Sequence, residues 1–137
     1  MMAIYPARHL GIGIARPAAE VYAFLADPVQ FPRWAEGLGH SFVHVEGMTW
    51  RAETPMGPMR ILFSEPNNYG VVDHAVIPDN GPAMHNPMRV VPNGDGAEVV
   101  FTLFQRDGMS DDEMAADAGM IMRDLAALKA LLEGGGG

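Results

Sequence analysis

The sequence predicts an α+β fold of one seven-stranded antiparallel sheet and three helices, and three observations carry that prediction. A short apolar strand is followed, within residues 12–38, by two short helical patterns. Residues 42–106 then alternate strand-length apolar stretches with turns rich in proline, glycine and asparagine. Residues 110–133 close the chain with the pattern of one long amphipathic helix.

Size and charge narrow the classes of function. A length of 137 residues fits one domain, and we expect residues 1–133 to form it and residues 134–137 to be a flexible glycine tail. The net charge of −8 disfavours nucleic acid and anionic membrane surfaces as partners. No apolar run approaches the ~20 residues of a spanning helix, so we expect no membrane insertion. The chain has no cysteine, and a cytoplasmic protein is the simplest interpretation.

The first strand and the two short helices are read from apolar spacing and proline positions. Residues 8–15 alternate with an apolar face, which predicts a strand. Pro17 suits the first turn of a helix, and Pro28 ends that helix at the preceding residue. The apolar positions of the two helices are Val21, Phe24 and Leu25 in the first, and Phe31, Ala35 and Leu38 in the second.

Six further strands are predicted between the turn segments, and their short connections favour an antiparallel meander. Pro87 lies inside one of them and therefore predicts a bulge or an edge there. The predicted strands are Phe42–Glu46, Met48–Thr54, Met59–Ser64, Tyr69–Ile77, Met84–Val91 and Ala97–Arg106.

The last helix has explicit start and stop signals. Ser110 and Glu113 form a capping box, and Gly134 is a natural C-cap. One continuous apolar face runs along the helix, and a helix that follows six strands is expected to pack on a sheet rather than in a coiled coil. That face consists of Met114, Ala118, Ile121, Leu125, Leu128 and Leu132.

The stretch Ile14–Pro28, followed by Phe31, Pro32 and Trp34, resembles the N-terminus of the START-like, or SRPBCC, superfamily, which includes polyketide cyclase/dehydrase-like and birch-pollen-allergen-type proteins. Residues 87–96 with 99–104 are similar to bacterial cyclase-like members. The resemblance implies a helix-grip (START-like, Bet v 1-like) fold, in which a curved seven-stranded sheet wraps around the long helix and encloses a cavity. We expect no cofactor.

Three functions are compatible with such a container, because fold membership does not decide activity. The first is binding of a small hydrophobic ligand that is polyketide-, aromatic- or lipid-like. The second is a polyketide cyclase or dehydratase that uses His74, His85 or Arg89 in the cavity. The third is a protein-interaction module, and a second copy of this chain is a further candidate partner.

The candidate catalytic residues are polar groups inside apolar strands. Asp73 and His74 are neighbours, so only one of the two can face the cavity. An inward His74 could polarise a ligand carbonyl or act as a general base, and an inward Arg89 could clamp a carboxylate or enolate. The alternatives are a hydrogen-bonded structural histidine and a solvated arginine. Arg60 is expected to face water.

Strand parity and the family's cavity position give a set of candidate ligand contacts, with Trp34 near the entrance. The eleven methionines fit either an irregular core or the lining of a cavity for variable ligands. The candidate contacts are Trp34, Trp50, Met59, Ile61, Phe63, His74, Met88, Phe101, Leu103, Met114 and Ile121.

A metal site at the second strand is disfavoured. His40, His44 and Glu46 share strand parity, but the two histidines would lie about 13 Å apart along an extended strand. The parity that we expect to face inward there is that of Val43 and Val45. The sequence therefore predicts no metal.

Overall fold

Two antiparallel sheets and three α-helices form the fold in the computed structural model, which describes residues 4–35 and 41–134. The order of elements follows the predicted one, with a 3-10 turn at Pro28–Gln30 before the second helix. The elements are β1 Ala7–Ile14, α1 Ala18–Leu25, α2 Phe31–Trp34, β2 Ser41–Glu46, β3 Thr49–Thr54, β4 Gly57–Phe63, β5 His74–Pro78, β6 Met84–Asn86, β7 Met88–Asn93, β8 Gly96–Phe104 and α3 Asp111–Glu133.

The prediction of one seven-stranded sheet is wrong. The described residues form a three-stranded sheet in the order β1-β8-β7 and a five-stranded sheet in the order β2-β3-β4-β5-β6. The physical reason is Pro87, which has no N–H to give to a ladder and divides the predicted strand 84–91 into two. The part before Pro87 pairs with β5, and the part after it pairs with β8.

The chain also changes its partner at Asp73, inside the predicted strand 69–77. Residues before it pair with β7: the Val72 N–H donates to the Met88 carbonyl at 3.0 Å, and the Val90 N–H donates to the Gly70 carbonyl at 2.9 Å. Gly70 has a φ of +71°, and a Cβ there would lie 2.2 Å from the Val90 oxygen, so only glycine fits. Residues after Asp73 form β5, which pairs with β4 and β6.

The 3-10 turn and helix α2 place two aromatic side chains against the inner faces of the sheets. The Asp27 side chain accepts the Val29 N–H at 3.1 Å and starts the 3-10 turn. Phe31 and Trp34 are buried and pack edge to face, with ring centroids 5.2 Å apart. The predicted extension of the second helix to Leu38 lies outside the described residues.

Helix α3 has the predicted capping box. The Glu113 N–H donates to Ser110 Oγ at 3.1 Å, and the Ser110 N–H donates to Glu113 Oε1 at 2.9 Å. At the other end of the helix, Lys129 Nζ donates to the Gly13 carbonyl at 2.6 Å, and Glu133 accepts the Ala15 N–H at 2.8 Å. These bonds fasten the C-terminal turns of α3 to the end of β1.

The expected inward face of β2 is wrong. Val43 and Val45 are 57% and 52% exposed. Phe42 faces inward instead, because it lies opposite Ala52, which is fully buried, and stacks on Trp50 with ring centroids 4.7 Å apart.

We expect Ser110→Ala to lower the free energy of unfolding by about 1 kcal/mol, because it removes the acceptor for the Glu113 N–H. Glu113→Gln is the control, since glutamine still accepts the Ser110 N–H and should cost less than about half of that. Urea unfolding curves measure both variants. A Ser110→Ala curve that overlays the wild type would show that the cap adds no stability.

Candidate functional site

A cavity of about 460 Å³ lies between the inner faces of the sheets and helices α2 and α3. Side chains from β4, β5, β6 and β8 form its walls, and the β3–β4 turn lies at its rim. Its lining residues are Phe31, Trp34, Ala35, Thr54, Pro55, Met56, Met59, Ile61, His74, Val76, Met84, Asn86, Phe101, Leu103, Arg106, Asp117, Met120, Ile121, Asp124 and Leu125.

Methionine contributes strongly to this lining. Met56, Met59, Met84 and Met120 all line the cavity. Met59 is buried, whereas Met56 is 86% exposed at the rim and Met120 is 43% exposed on α3. Flexible, polarisable side chains of this kind adapt to ligands of different shape, so part of the methionine content belongs to the cavity rather than to the core.

His74 is the most buried polar residue of the cavity wall, with 7% of its surface exposed. Its ring packs against Phe31, Phe63 and Phe101, with centroids 5.3, 6.2 and 6.2 Å away. Burial lowers the pKa of the ring from its ordinary 6.5 to about 4, against a hydrogen bond to the Val72 backbone that raises it. The imidazole is therefore neutral at pH 7.

Asn86 lies beside His74 because the two residues are paired across β5 and β6. The Asn86 amide nitrogen is 3.5 Å from His74 Nε2, which is the long limit of a hydrogen bond. The two side chains form one polar patch on an otherwise aromatic and aliphatic wall.

The charged side chains of the lining are half-buried, more exposed than His74, and mark the open side of the cavity. Arg106 follows β8, and Asp117 and Asp124 lie seven residues apart on α3, two helical turns. Partial burial raises the pKa of Asp117; Arg106 opposes that shift and Glu113 adds to it. The open side therefore carries both signs of charge.

The predicted ligand contacts divide into two groups. Trp50 stacks on Phe42 outside the cavity, and Phe63, Met88 and Met114 are buried in the core without lining it. The predicted contacts that do line the cavity are Trp34, Met59, Ile61, His74, Phe101, Leu103 and Ile121.

Several lining residues were not predicted. Val76 shares strand parity with His74, and Asp117, Met120 and Asp124 share a face of α3 with Ile121, so both periodicities were available signals. Asn86 had no such signal, because its place opposite His74 depends on the strand break at Pro87.

His85 and Arg89 lie outside the cavity lining. Asp73 points away from the cavity, as expected for the strand neighbour of His74. Its Oδ1 accepts the Met88 N–H at 2.8 Å and pairs with Arg89, and its Oδ2 is 3.6 Å from His85 Nε2. The His85 and Arg89 side chains are 63% and 44% exposed, so this cluster is a sheet junction at the surface.

In the part of the chain that the structure describes, no three His, Asp or Glu side chains lie close enough together to bind a metal ion. His44 is exposed, and its Nε2 is 2.8 Å from the Gly47 carbonyl. His40 lies outside the described residues.

No family model and no curated protein matches the sequence. Solved structures do match. The Aha1 dimer from Colwellia psychrerythraea has a TM-score of 0.74 and 19% identity, over 96% of this chain and 99% of that one. A START superfamily protein from Mycobacterium smegmatis has a TM-score of 0.74 and 11% identity, over 93% and 97%. The chain has the START-like fold. Ara h 8.0201 shares it, with a TM-score of 0.69 and 10% identity over 94% and 98%.

The START-like fold is shown by these matches, and at such identities they show the fold alone. Across residues 4–35 and 41–134, no helix has both the length and the apolarity that crossing a membrane requires.

The burial of neutral His74 predicts a specific pH dependence. Between pH 6.5 and about 4 the unfolded chain takes up a proton that the folded protein does not, so the free energy of unfolding falls as the pH falls through this window. The expected total loss is about 3 kcal/mol. Urea unfolding at several pH values measures it. His74→Phe should flatten the acid limb, and exposed His85→Gln should keep it; parallel curves for wild type and His74→Phe would contradict the assignment.

The sheet junction predicts unequal effects of its two charged partners. Asp73→Ala leaves the N–H of Met88, a residue that is 1% exposed, without an acceptor and should cost about 1–3 kcal/mol. Arg89→Ala removes only an exposed partner and should cost about 0–1 kcal/mol. Chemical denaturation of both variants tests this difference. A larger loss in Arg89→Ala would show that the ion pair, rather than the backbone bond, holds the junction.

Proposed function

We propose that this protein binds a small, largely apolar molecule in the cavity between its sheets and helix α3. The observation that carries the proposal is the cavity itself. Its volume of about 460 Å³ lies within the ~300–1,000 Å³ typical of small-molecule sites. Its wall is mainly aromatic, aliphatic and thioether in character, with a few polar groups, which is the usual composition of such sites.

The exposed residues in the cavity lining support the proposal that a ligand enters from solvent. Trp34 and Met120 line the cavity on the helical side, and Met56 lies opposite on the β3–β4 turn. An exposed methionine at a turn costs little to move, so the rim can adjust around a ligand. The polyketide-, aromatic- and lipid-like classes all fit this apolar lining.

A cyclase or dehydratase mechanism has less support. It requires an acid–base or enolate-binding group within reach of the ligand. Of the three candidate residues, His85 and Arg89 belong to the surface junction, and His74 alone lines the cavity. With a pKa of about 4, its imidazole is a weak base. Ligand binding without chemistry is therefore the function that the geometry favours.

A cavity-filling substitution tests the proposal. Ile121→Trp adds an indole inside the lining, whereas Met122→Trp adds the same group one residue away, at an exposed position outside the lining. We expect 1-anilinonaphthalene-8-sulfonate to bind the wild type stoichiometrically, to bind Met122→Trp equally, and to bind Ile121→Trp at least tenfold more weakly. Dye fluorescence measures the binding.

Near-UV circular dichroism and thermal melts verify that each variant keeps packed tertiary structure, since the dye also binds loosely packed states. Equal dye binding by Ile121→Trp and Met122→Trp, with both folded, would place the dye outside the cavity. Absence of dye binding by the wild type would contradict the function itself.

A further inference from the structure

The cavity wall carries one uncharged polar pair, a buried histidine and a half-buried asparagine, and its hydrogen-bonding capacity is informative about the ligand. His74 is 7% exposed and is surrounded by Phe31, Phe63 and Phe101. Asn86 faces it from the adjacent strand, with 3.5 Å between the amide nitrogen and Nε2. Thr54, Arg106, Asp117 and Asp124 are the other polar residues of the lining, and none of them is buried.

The tautomer of His74 follows from its partners. The hydrogen bond between His74 and the Val72 backbone raises the pKa of the ring. A ring N–H is therefore the donor of this bond, and the Val72 carbonyl is the acceptor. A neutral imidazole has one N–H, and Nε2 is the nitrogen that faces the Asn86 amide. Nε2 is therefore an acceptor on the cavity wall, and the amide beside it is a donor.

A donor and an acceptor this close suit a ligand group that can both donate and accept a hydrogen bond. A hydroxyl can donate its proton to Nε2 and accept from the Asn86 amide at the same time, and the long 3.5 Å contact leaves the pair ready to exchange partners. An ether or a carbonyl has no proton to give. A carboxylate would lose its water against an uncharged ring, without a compensating cation.

We propose that His74 and Asn86 select a ligand that carries a neutral hydroxyl, a phenol or an alcohol, on its buried end. This inference rests on the proposed function, because it assigns the orientation of a molecule bound in the same cavity. The apolar body of the ligand then lies along the aromatic and methionine lining. Its outer end faces the mixed charges of Arg106 and Asp117.

Three probes of similar shape test the inference: 1-naphthol, 1-methoxynaphthalene and naphthalene, each displacing the fluorescent dye at pH 7. The wild type should bind 1-naphthol about tenfold more tightly than 1-methoxynaphthalene, because only the naphthol satisfies Nε2. His74→Phe should reduce that ratio to near one and keep its affinity for naphthalene. His85→Gln, a change at an exposed histidine outside the lining, should keep the wild-type ratio.

Two further measurements do not depend on the folding of His74→Phe. Asn86→Leu removes the amide donor from a half-buried position and should also lower the naphthol preference. In wild-type protein with ¹⁵N-labelled histidine, 1-naphthol should shift the Nε2 resonance of His74, and 1-methoxynaphthalene should not.

The outcomes separate the inference from the function on which it rests. Equal affinity of the wild type for all three probes would overturn the hydroxyl assignment and leave apolar binding intact. A naphthol preference that persists in His74→Phe and Asn86→Leu would also overturn it. Failure of all three probes to displace the dye would overturn the assignment together with cavity binding.

Discussion

The bond from the Met88 N–H to the Asp73 carboxylate holds the point where the two sheets meet. Before Asp73 the chain pairs with β7, and after it the chain pairs with β4 and β6. At this change of partner the Met88 N–H donates to the carboxylate, which takes the place of a main-chain acceptor. The register that it fixes places His74 opposite Asn86 and turns both toward the cavity. The polar end of the candidate site therefore depends on the carboxylate of Asp73, whose side chain is 17% exposed.

This arrangement has a cost that a purely structural core would avoid. A neutral histidine among phenylalanines loses its hydration, and this burial is the main reason that its pKa is lowered to about 4. A phenylalanine or leucine at the same position would pack without it. A buried histidine and a half-buried asparagine at the wall of an apolar cavity, joined by a contact of 3.5 Å, are more readily explained by what they can bind than by what they stabilise.

Features that depend on neighbouring residues could be predicted from the sequence, and features that depend on pairing between distant strands could not. The capping box at Ser110 and the short helix at Val21 are local patterns, and the resemblance to the START-like fold added the order of the elements. The sheet break depends on which distant strand each half of 84–91 pairs with, and Pro87 predicted only a bulge or an edge. The parity of β2 was wrong because only its pairing with Ala52 decides which face is inward. Asn86 was missed for the same reason.

Helix α3 has one continuous apolar face, but part of that face packs in the core and part of it lines the cavity. Its C-terminal turns carry Leu128, which is fully buried outside the cavity lining, and are fastened to β1 through Lys129 and Glu133. The preceding turns carry Asp117 and other residues that line the cavity. The hydrophobic face reads the same along both halves, since core packing and cavity lining require the same side-chain types. A helix anchored at one end leaves its other half adjacent to an unfilled space, and a container needs that combination.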